Sequence, residues 1–460
     1  MQQPLSFEQL SHIFRKGCKP RHTWRIGTEH EKFGFHLDSF KPLAYAEPSG
    51  IAQVLQGLMQ LGWQAIYENN QPIALTKNHA SITLEPGGQL ELSGAPLASI
   101  HDTYTETKSH VDELAIIARA LNIDFLCAGF QPKWSRDEIP WMPKARYEVM
   151  RNYMPKVGAK GLDMMLRTST IQANLDFESE ADMARKMRIG FCLQPLVTAL
   201  YAASPFADGK ASPQLSNRAA AWLDTDPHRT GTPECVFQDN FGFDDWTAWV
   251  LDVPMYFIVR DHEYIDCAGE SFRTFLEGKL PQRMGEYPSL EDWELHTSTV
   301  FPDVRLKQFI EMRGAAAGTL PWICALPTLW KGLLYDKQAE DDIWDMVKDW
   351  QRDELLALRE NVPTTALQTK FRDTSVFDLC KNMIDIAQAG LENINICDAQ
   401  GNNEVRFLAP LQATLAQRKT RADIWLQQYQ TVWQQSVDPL FSQADASFVS
   451  HNSIALPSSS

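Results

Sequence analysis

Gly27-Thr28-Glu29-His30-Glu31-Lys32-Phe33-Gly34-Phe35 reads as an extended segment, and the two-residue repeat of a strand puts Glu29 and Glu31 on one side of it. Its complement lies downstream, in Ser81-Ile82-Thr83-Leu84-Glu85-Pro86-Gly87-Gly88-Gln89-Leu90-Glu91-Leu92. There Ile82, Leu84, Leu90 and Leu92 alternate with Thr83, Glu85, Gln89 and Glu91 about a Pro-Gly-Gly turn. The pattern predicts a hairpin with one apolar and one acidic face. If the two segments share a sheet, their carboxylates converge, which is unfavourable unless hard cations or protons neutralise them. The alternative is a wetted solvent face that does no chemistry. An all-oxygen donor set points to Mg²⁺ or Mn²⁺ rather than zinc. His30-Glu31 does not open a zincin helix, because Gly34 stands where the second histidine belongs and the local alternation is that of a strand.

A second polar strand is expected over Asp303 to Arg313. Asp303, Arg305, Lys307, Phe309, Glu311 and Arg313 share one parity, so three cations and two carboxylates face the same way. Such a face is either a salt-bridged surface or, beside an acidic metal site, a holder of nucleotide phosphates with Glu311 completing the metal shell. A third strand is expected from about Asp163 to Asp176, with Thr168, Thr170, Gln172 and Asn174 forming a polar floor. Arg167 has the opposite parity and joins that floor only at a strand end or a bulge. Arg229 sits in the loop-like Asp226 to Gly231 and is offered to an anion.

Helical spacing is expected in Gly50 to Leu61, in Tyr104 to Ala120, after the cap Ser179-Glu180-Ala181-Asp182, and through most of Gln338 to Gln435. Strands separated by helices imply an α+β fold, a curved and mainly antiparallel sheet with helices on one face and the site on the other. One domain over residues 1–444 is expected, with a disordered tail from Asp445 to Ser460.

The net charge of −15, from 58 acidic and 43 basic residues, disfavours nucleic acid and acidic membranes as partners. No leader pattern and no membrane-spanning apolar run is visible, so a cytosolic location is expected. The eight cysteines form no C-x-x-C pair. Neither a P-loop nor a nucleophile elbow is present, so any ATP must be held through metals and side-chain cations.

Taken with Arg146-Tyr147-Glu148-Val149-Met150-Arg151-Asn152-Tyr153-Met154-Pro155, Asp252 to Phe257, Phe301 to Gly314 and Gln435 to Pro439, these segments resemble the plant and proteobacterial type of glutamate-cysteine ligase. The resemblance covers nearly the whole chain. It implies a glutamine-synthetase-like catalytic sheet, ATP-dependent joining of glutamate to cysteine, and a place at the first step of glutathione synthesis. It further implies Mg²⁺ on Glu29, Glu31, Glu85, Glu91 and Glu311. Substrate would be bound by Arg167, Arg229, Gln172 and Asn174, and Arg313, with Arg305 and Lys307, would act on the phosphate side. A monomer or weak homodimer is expected. Two departures stand out: Arg313-Gly314-Ala315-Ala316 replaces the family's R-G-A-D, and Gln282 replaces a hairpin cysteine whose disulfide partner position is Cys267. A glutamate ligase with another amine acceptor, a metal-dependent hydrolase and a non-catalytic divalent-ion binder are the competing readings.

Overall fold

A computed structural model of the chain describes residues 4–449. Among the described residues, nine strands form one sheet, every pairing antiparallel. In chain order they are β1 (Ile26–His36), β2 (Gln64–Glu68), β3 (Gln71–Lys77), β4 (Ala80–Leu84), β5 (Gln89–Ser93), β6 (Ile123–Leu126), β7 (Thr170–Leu175), β8 (Val304–Leu306) and β9 (Ile310–Ala316). Their order across the sheet is β8-β9-β7-β1-β5-β4-β3-β2, with β6 pairing along the far half of β1. The Glu85-to-Gly88 turn joins β4 to β5, and Gly88 takes a φ of +81° that a side chain at that corner would resist.

β1 explains the layering. Its Phe33 and Phe35 reach a small apolar cluster with Leu126, Trp425 and Phe441, while His30 and Lys32 are buried on the side opposite Glu29 and Glu31. Helices Ile100–Leu121, Glu180–Leu200 and Leu320–Leu334 pack against the central strands, and their apolar residues form the main core with Ile82, Leu84, Leu90 and Leu92. Ser179 caps the second of these by accepting from the Asp182 amide at 3.2 Å, as its capping-box pattern predicts. Lys32 is fully buried there, with Nζ donating to the Leu90 carbonyl at 3.1 Å and lying 3.3 Å from His110 Nε2.

The mainly helical C-terminal part covers this layer. Helix Leu320–Leu334 meets helix Val376–Ile394 at two glycines, where a Cβ on Gly390 would stand 2.0 Å from the Gly332 carbonyl oxygen.

Four expectations need correction. The stretch expected as one strand from Asp163 begins as helix Gly161–Arg167, and the strand starts only at Thr170. Methionine and leucine at 164–166 satisfy a buried helix as readily as a strand. The Asp303-to-Arg313 strand is instead the hairpin β8-β9, in which Arg305 faces Glu311 and Leu306 faces Ile310. The hairpin β2-β3 was not anticipated at all, because its faces are mixed rather than alternating. Finally, the tail expected to be disordered from Asp445 is packed as far as Val449. The Cys127 amide donates to the Ala446 carbonyl at 2.7 Å, the Phe448 amide to that of Phe125 at 2.8 Å, and both tail side chains are buried. Residues 450–460 lie outside the described residues.

The Gly332–Gly390 contact generates a stability test. Gly390→Ala gains roughly 1 kcal/mol of helix propensity, yet overpacking against a backbone oxygen costs about 1–3 kcal/mol. A lowered urea midpoint is expected, and a raised one would show that the two helices tolerate separation.

Candidate active site

Register sets the acidic face. Residues directly opposite in antiparallel strands project to the same side. Glu31 faces Glu91, which in turn faces Thr83, while Glu29 faces Gln172 and Asn174 faces Glu311. One face of five adjacent strands therefore carries Thr83, Glu91, Glu29, Glu31, Gln172, Asn174 and Glu311, with Glu85 at the hairpin turn.

The carboxylates are short of neutralising partners. Burial, with repulsion from Glu311 and Glu91 added, lifts Glu29 to about 7 against the pull of Lys307 and a bond from Asn174. Asn174 donates to Glu29 at 2.8 Å, and Gln172 lies 3.4 Å from its other oxygen. Burial followed by the charges of Glu85 and Glu91 raises Glu31 well above the usual carboxylate range, although Arg218 and Arg313 oppose it. Its protein donor is the Thr170 amide at 3.1 Å. Glu91 is raised by burial and Glu85, with the Thr83 hydroxyl at 2.6 Å working the other way.

Glu311 is different. Burial alone would raise it, but Arg305, Lys307 and Arg313 hold it well below the usual range. Arg305 forks onto it at 2.8 and 2.9 Å, Lys307 donates at 2.8 Å and Arg313 at 2.6 Å. These four bonds occupy both oxygens of the carboxylate that was expected in the metal shell. Arg305 also donates to the carbonyls of Ser298 and Val300, which leaves it a structural residue. Lys307, one-third exposed, and Arg313 remain as cations facing the acidic group.

The two arginines expected at the substrate lie elsewhere. Arg167 ends its helix with its guanidinium on Asp163 at 3.2 Å and Asp208 at 2.8 Å, over the Phe130 ring. Arg229 is fully buried, binding Asp226 at 2.7 Å and the carbonyls of Thr299 and Pro254, stacked 3.7 Å from the Tyr256 ring centroid. Gln172 and Asn174 are committed to orienting Glu29, and Gln172 also accepts from Arg313 at 2.5 Å.

The cations that do reach the pocket come from short helices on the site side of the sheet. A cavity of about 80 Å³ is lined by Glu31, Glu85, Arg146, Tyr147, Thr170 and Arg218, with Trp222, Phe301 and several methionines as apolar wall. Arg146 is on helix Ala145–Tyr153 and Arg218 on helix Asn217–Leu223. Arg146 Nε is buried without a partner, and so is Arg218 Nε. Lys144 and the Tyr147 hydroxyl both donate to the Leu84 carbonyl, at 2.8 and 2.5 Å, fixing the start of the acidic turn. Sequence reasoning missed these residues because parity along a strand says nothing about helices laid over it. The run from Arg146 to Pro155 was the one available signal.

The donor set suits a hard divalent cation, since burial and neighbouring charge raise the carboxyls of Glu29, Glu31 and Glu91, and such an ion would favour their ionised forms. Among the described residues no three His, Cys, Asp or Glu side chains already stand as a group able to hold a metal ion. A bound cation would therefore have to draw these carboxylates together.

A family model described as glutamate-cysteine ligase family 2 (GCS2) matches residues 25–443. Glutamate–cysteine ligase B, chloroplastic, of Oryza sativa subsp. japonica is 50% identical over 446 residues, covering 96% of this chain and 88% of that protein. The chloroplastic enzyme of Arabidopsis thaliana is 48% identical over 444 residues, covering 96% and 83%. Among solved structures, the Francisella tularensis glutamate–cysteine ligase in complex with AMP superposes with a TM-score of 0.53 at 14% identity, covering 94% of this chain and 90% of that one. At that identity the likeness is one of fold. These relatives are named as chloroplastic enzymes, which overturns the cytosolic expectation. Surface charge and the lack of a spanning apolar run are common to proteins of both compartments and never discriminated between them.

The raised carboxyls give a pH test in the absence of divalent ions. A carboxyl whose folded pKa lies above its unfolded value stabilises the fold below the unfolded pKa, and that contribution is lost as pH rises through the folded one. For Glu29 the window runs from the ordinary 4.5 to about 7. Denaturant unfolding should show Glu29→Gln gaining on the parent protein across that window, by at most about 3 kcal/mol. A pH-independent difference would mean that Glu29 ionises normally.

Proposed function

The chain belongs to glutamate-cysteine ligase family 2 and is an enzyme, a glutamate-cysteine ligase, and from this premise we propose that it couples ATP cleavage to joining L-glutamate and L-cysteine on the acidic face of its sheet. The observation that carries this reading is the facing of Glu29, Glu31 and Glu91, whose carboxyls burial and neighbouring carboxylates push upward, toward the cations Arg313 and Lys307. Such a face suits a ligand that brings both metal and phosphate.

In the proposed reaction the γ-carboxylate of glutamate attacks the γ-phosphorus of ATP and ADP departs, leaving an acyl phosphate. The amine of cysteine, after losing a proton, attacks the acyl carbon. The carbon–oxygen bond to phosphate breaks, and γ-glutamylcysteine and inorganic phosphate are released. This product would enter glutathione synthesis. No protein nucleophile takes part.

Glu29, Glu31, Glu85 and Glu91 would hold Mg²⁺, or Mn²⁺ in its place, and the ion would supply charge neutralisation at the phosphate oxygens. Arg146 and Arg218, each with an unpartnered Nε, would take the glutamate carboxylate bidentately from the roof. Arg313, fixed between Gln172 and Glu311, would face the phosphate. Trp222, Phe301 and the methionines beside them would keep water from the acyl phosphate.

The decisive assay is ADP release with Mg²⁺ and glutamate, with cysteine or other amines as acceptor. Cysteine-dependent ADP release is expected. Cleavage of other substrates without ATP would replace the ligase by a hydrolase, and a preference for another amine would change the acceptor. Within this assay Glu31→Gln should stay folded and lose activity by orders of magnitude at ordinary Mg²⁺.

Thiol redox should not set the rate. All eight cysteines are free, Cys267 is fully buried with burial raising its thiol to about 11, and Gln282 is exposed where a partner cysteine would stand. Dithiothreitol should leave kcat nearly unchanged. A stoichiometric Cys267 disulfide in peptide maps, with a severalfold change in rate on reduction, would contradict this.

A further inference from the structure

The hairpin β2-β3 forms the outer edge of the sheet, and no residue of it takes part in the reaction as proposed. Its strands are joined by a two-residue turn in which Asn69 and Asn70 both take the left-handed conformation, with φ of +49° and +62°. Asparagine tolerates that geometry, and such a turn matches the twist of its strands and fixes the pair that flanks it. Here the flanking pair is Glu68 and Gln71. Below the tip the register shifts between Ile66 and Tyr67, and the Tyr45 hydroxyl donates to the Pro72 carbonyl at 2.8 Å. The end of the hairpin is therefore bent and braced.

Glu68 Oε1 accepts from the Ala145 amide at 2.7 Å. Ala145 is the first residue of helix Ala145–Tyr153, and the N-cap position before it is Lys144, whose side chain has no acceptor to offer. The cap comes instead from the distant hairpin, which also brings a carboxylate to the positive end of the helix dipole. Arg146 follows at once. It lines the acidic pocket, and its Nε is buried without a partner. Tyr147, the next residue, is anchored through its hydroxyl to the Leu84 carbonyl at 2.5 Å. Arg146 thus stands between two tethers, one to the hairpin tip and one to the strand that enters the acidic turn. The same helix packs against strand Glu263–Asp266, where burial raises the Tyr264 phenol while the charge of Arg146 opposes that rise and the charge of Glu68 adds to it. Both charged groups therefore lie near one ring. A first turn deprived of its cap frays, and Arg146 sits in that turn.

We propose that Glu68 is a positioning residue for glutamate recognition: from the tip of β2-β3 it holds the first turn of helix Ala145–Tyr153 and so aims Arg146 into the acidic pocket. The role rests on the reading of Arg146 as a partner of the glutamate carboxylate.

Steady-state kinetics and hydrogen exchange of the full chain test it. Glu68→Ala is expected to raise the KM for glutamate by about fivefold or more, the size of one lost capping bond, while kcat and the KM values for ATP and cysteine stay within about twofold. Glu68→Gln keeps an oxygen for the Ala145 amide and should recover most of the loss. Without substrates, amides at the start of helix Ala145–Tyr153 should exchange severalfold faster in Glu68→Ala than in the parent protein, with the urea midpoint little changed. An equal rise in all three KM values, a fall in kcat alone, or unaltered exchange overturns the assignment. Arg146→Gln separates it from the reading beneath. If that variant leaves the KM for glutamate unchanged, both fail; if it raises that KM and Glu68→Ala does not, the positioning role alone fails. In the double variant Glu68→Ala should add little to Arg146→Gln, and effects that multiply would show that Glu68 acts by another route and contradict the proposal.

Discussion

Glu31 and Glu91 stand directly opposite each other on hydrogen-bonded antiparallel strands, and the repulsion between them is the constraint around which the site is arranged. Like charges in that position destabilise a sheet. Here the backbone ladder fixes the separation, and burial followed by the charge of Glu85 raises both carboxyls, with Glu91 adding to Glu31. The apolar side of the same strands is packed against long helices, so the strands have no freedom to part. Folding energy from the core therefore maintains the crowding of these carboxyls on one face.

The cationic edge follows a complementary logic. Glu311 gathers Arg305, Lys307 and Arg313 on the neighbouring strands and neutralises part of their charge internally. Of the three, Arg305 is consumed in this role, whereas Arg313 is held at the edge of the acidic pocket. Removing Glu311 would leave three positive charges crowded together, so its ion pairs position those cations.

Alternation made the sheet legible. The β4-β5 hairpin, the shared face of Glu29 and Glu31, and the facing of Gln172 and Asn174 toward the same side all follow from a period of two. Periodicity gave no account of features that depend on contacts remote in sequence. Arg167 and Arg229 were plausible anion binders until their burial against Asp163, Asp208 and Asp226 showed where their donors go. Arg146 and Arg218 are the converse case, helical residues brought over the sheet by tertiary packing. The packed segment Ala446–Phe448 was hidden because a tail rich in small polar residues pairs with β6 through its backbone.

The central claim is that the acidic face exchanges protons for a divalent cation, and calorimetric titration of Mn²⁺ in buffers of different ionisation enthalpy measures that exchange directly. Between pH 6 and 7 the account predicts net proton release on binding, reduced in Glu29→Gln and in Glu31→Gln. Binding without proton release, or release unchanged in both variants, would contradict it.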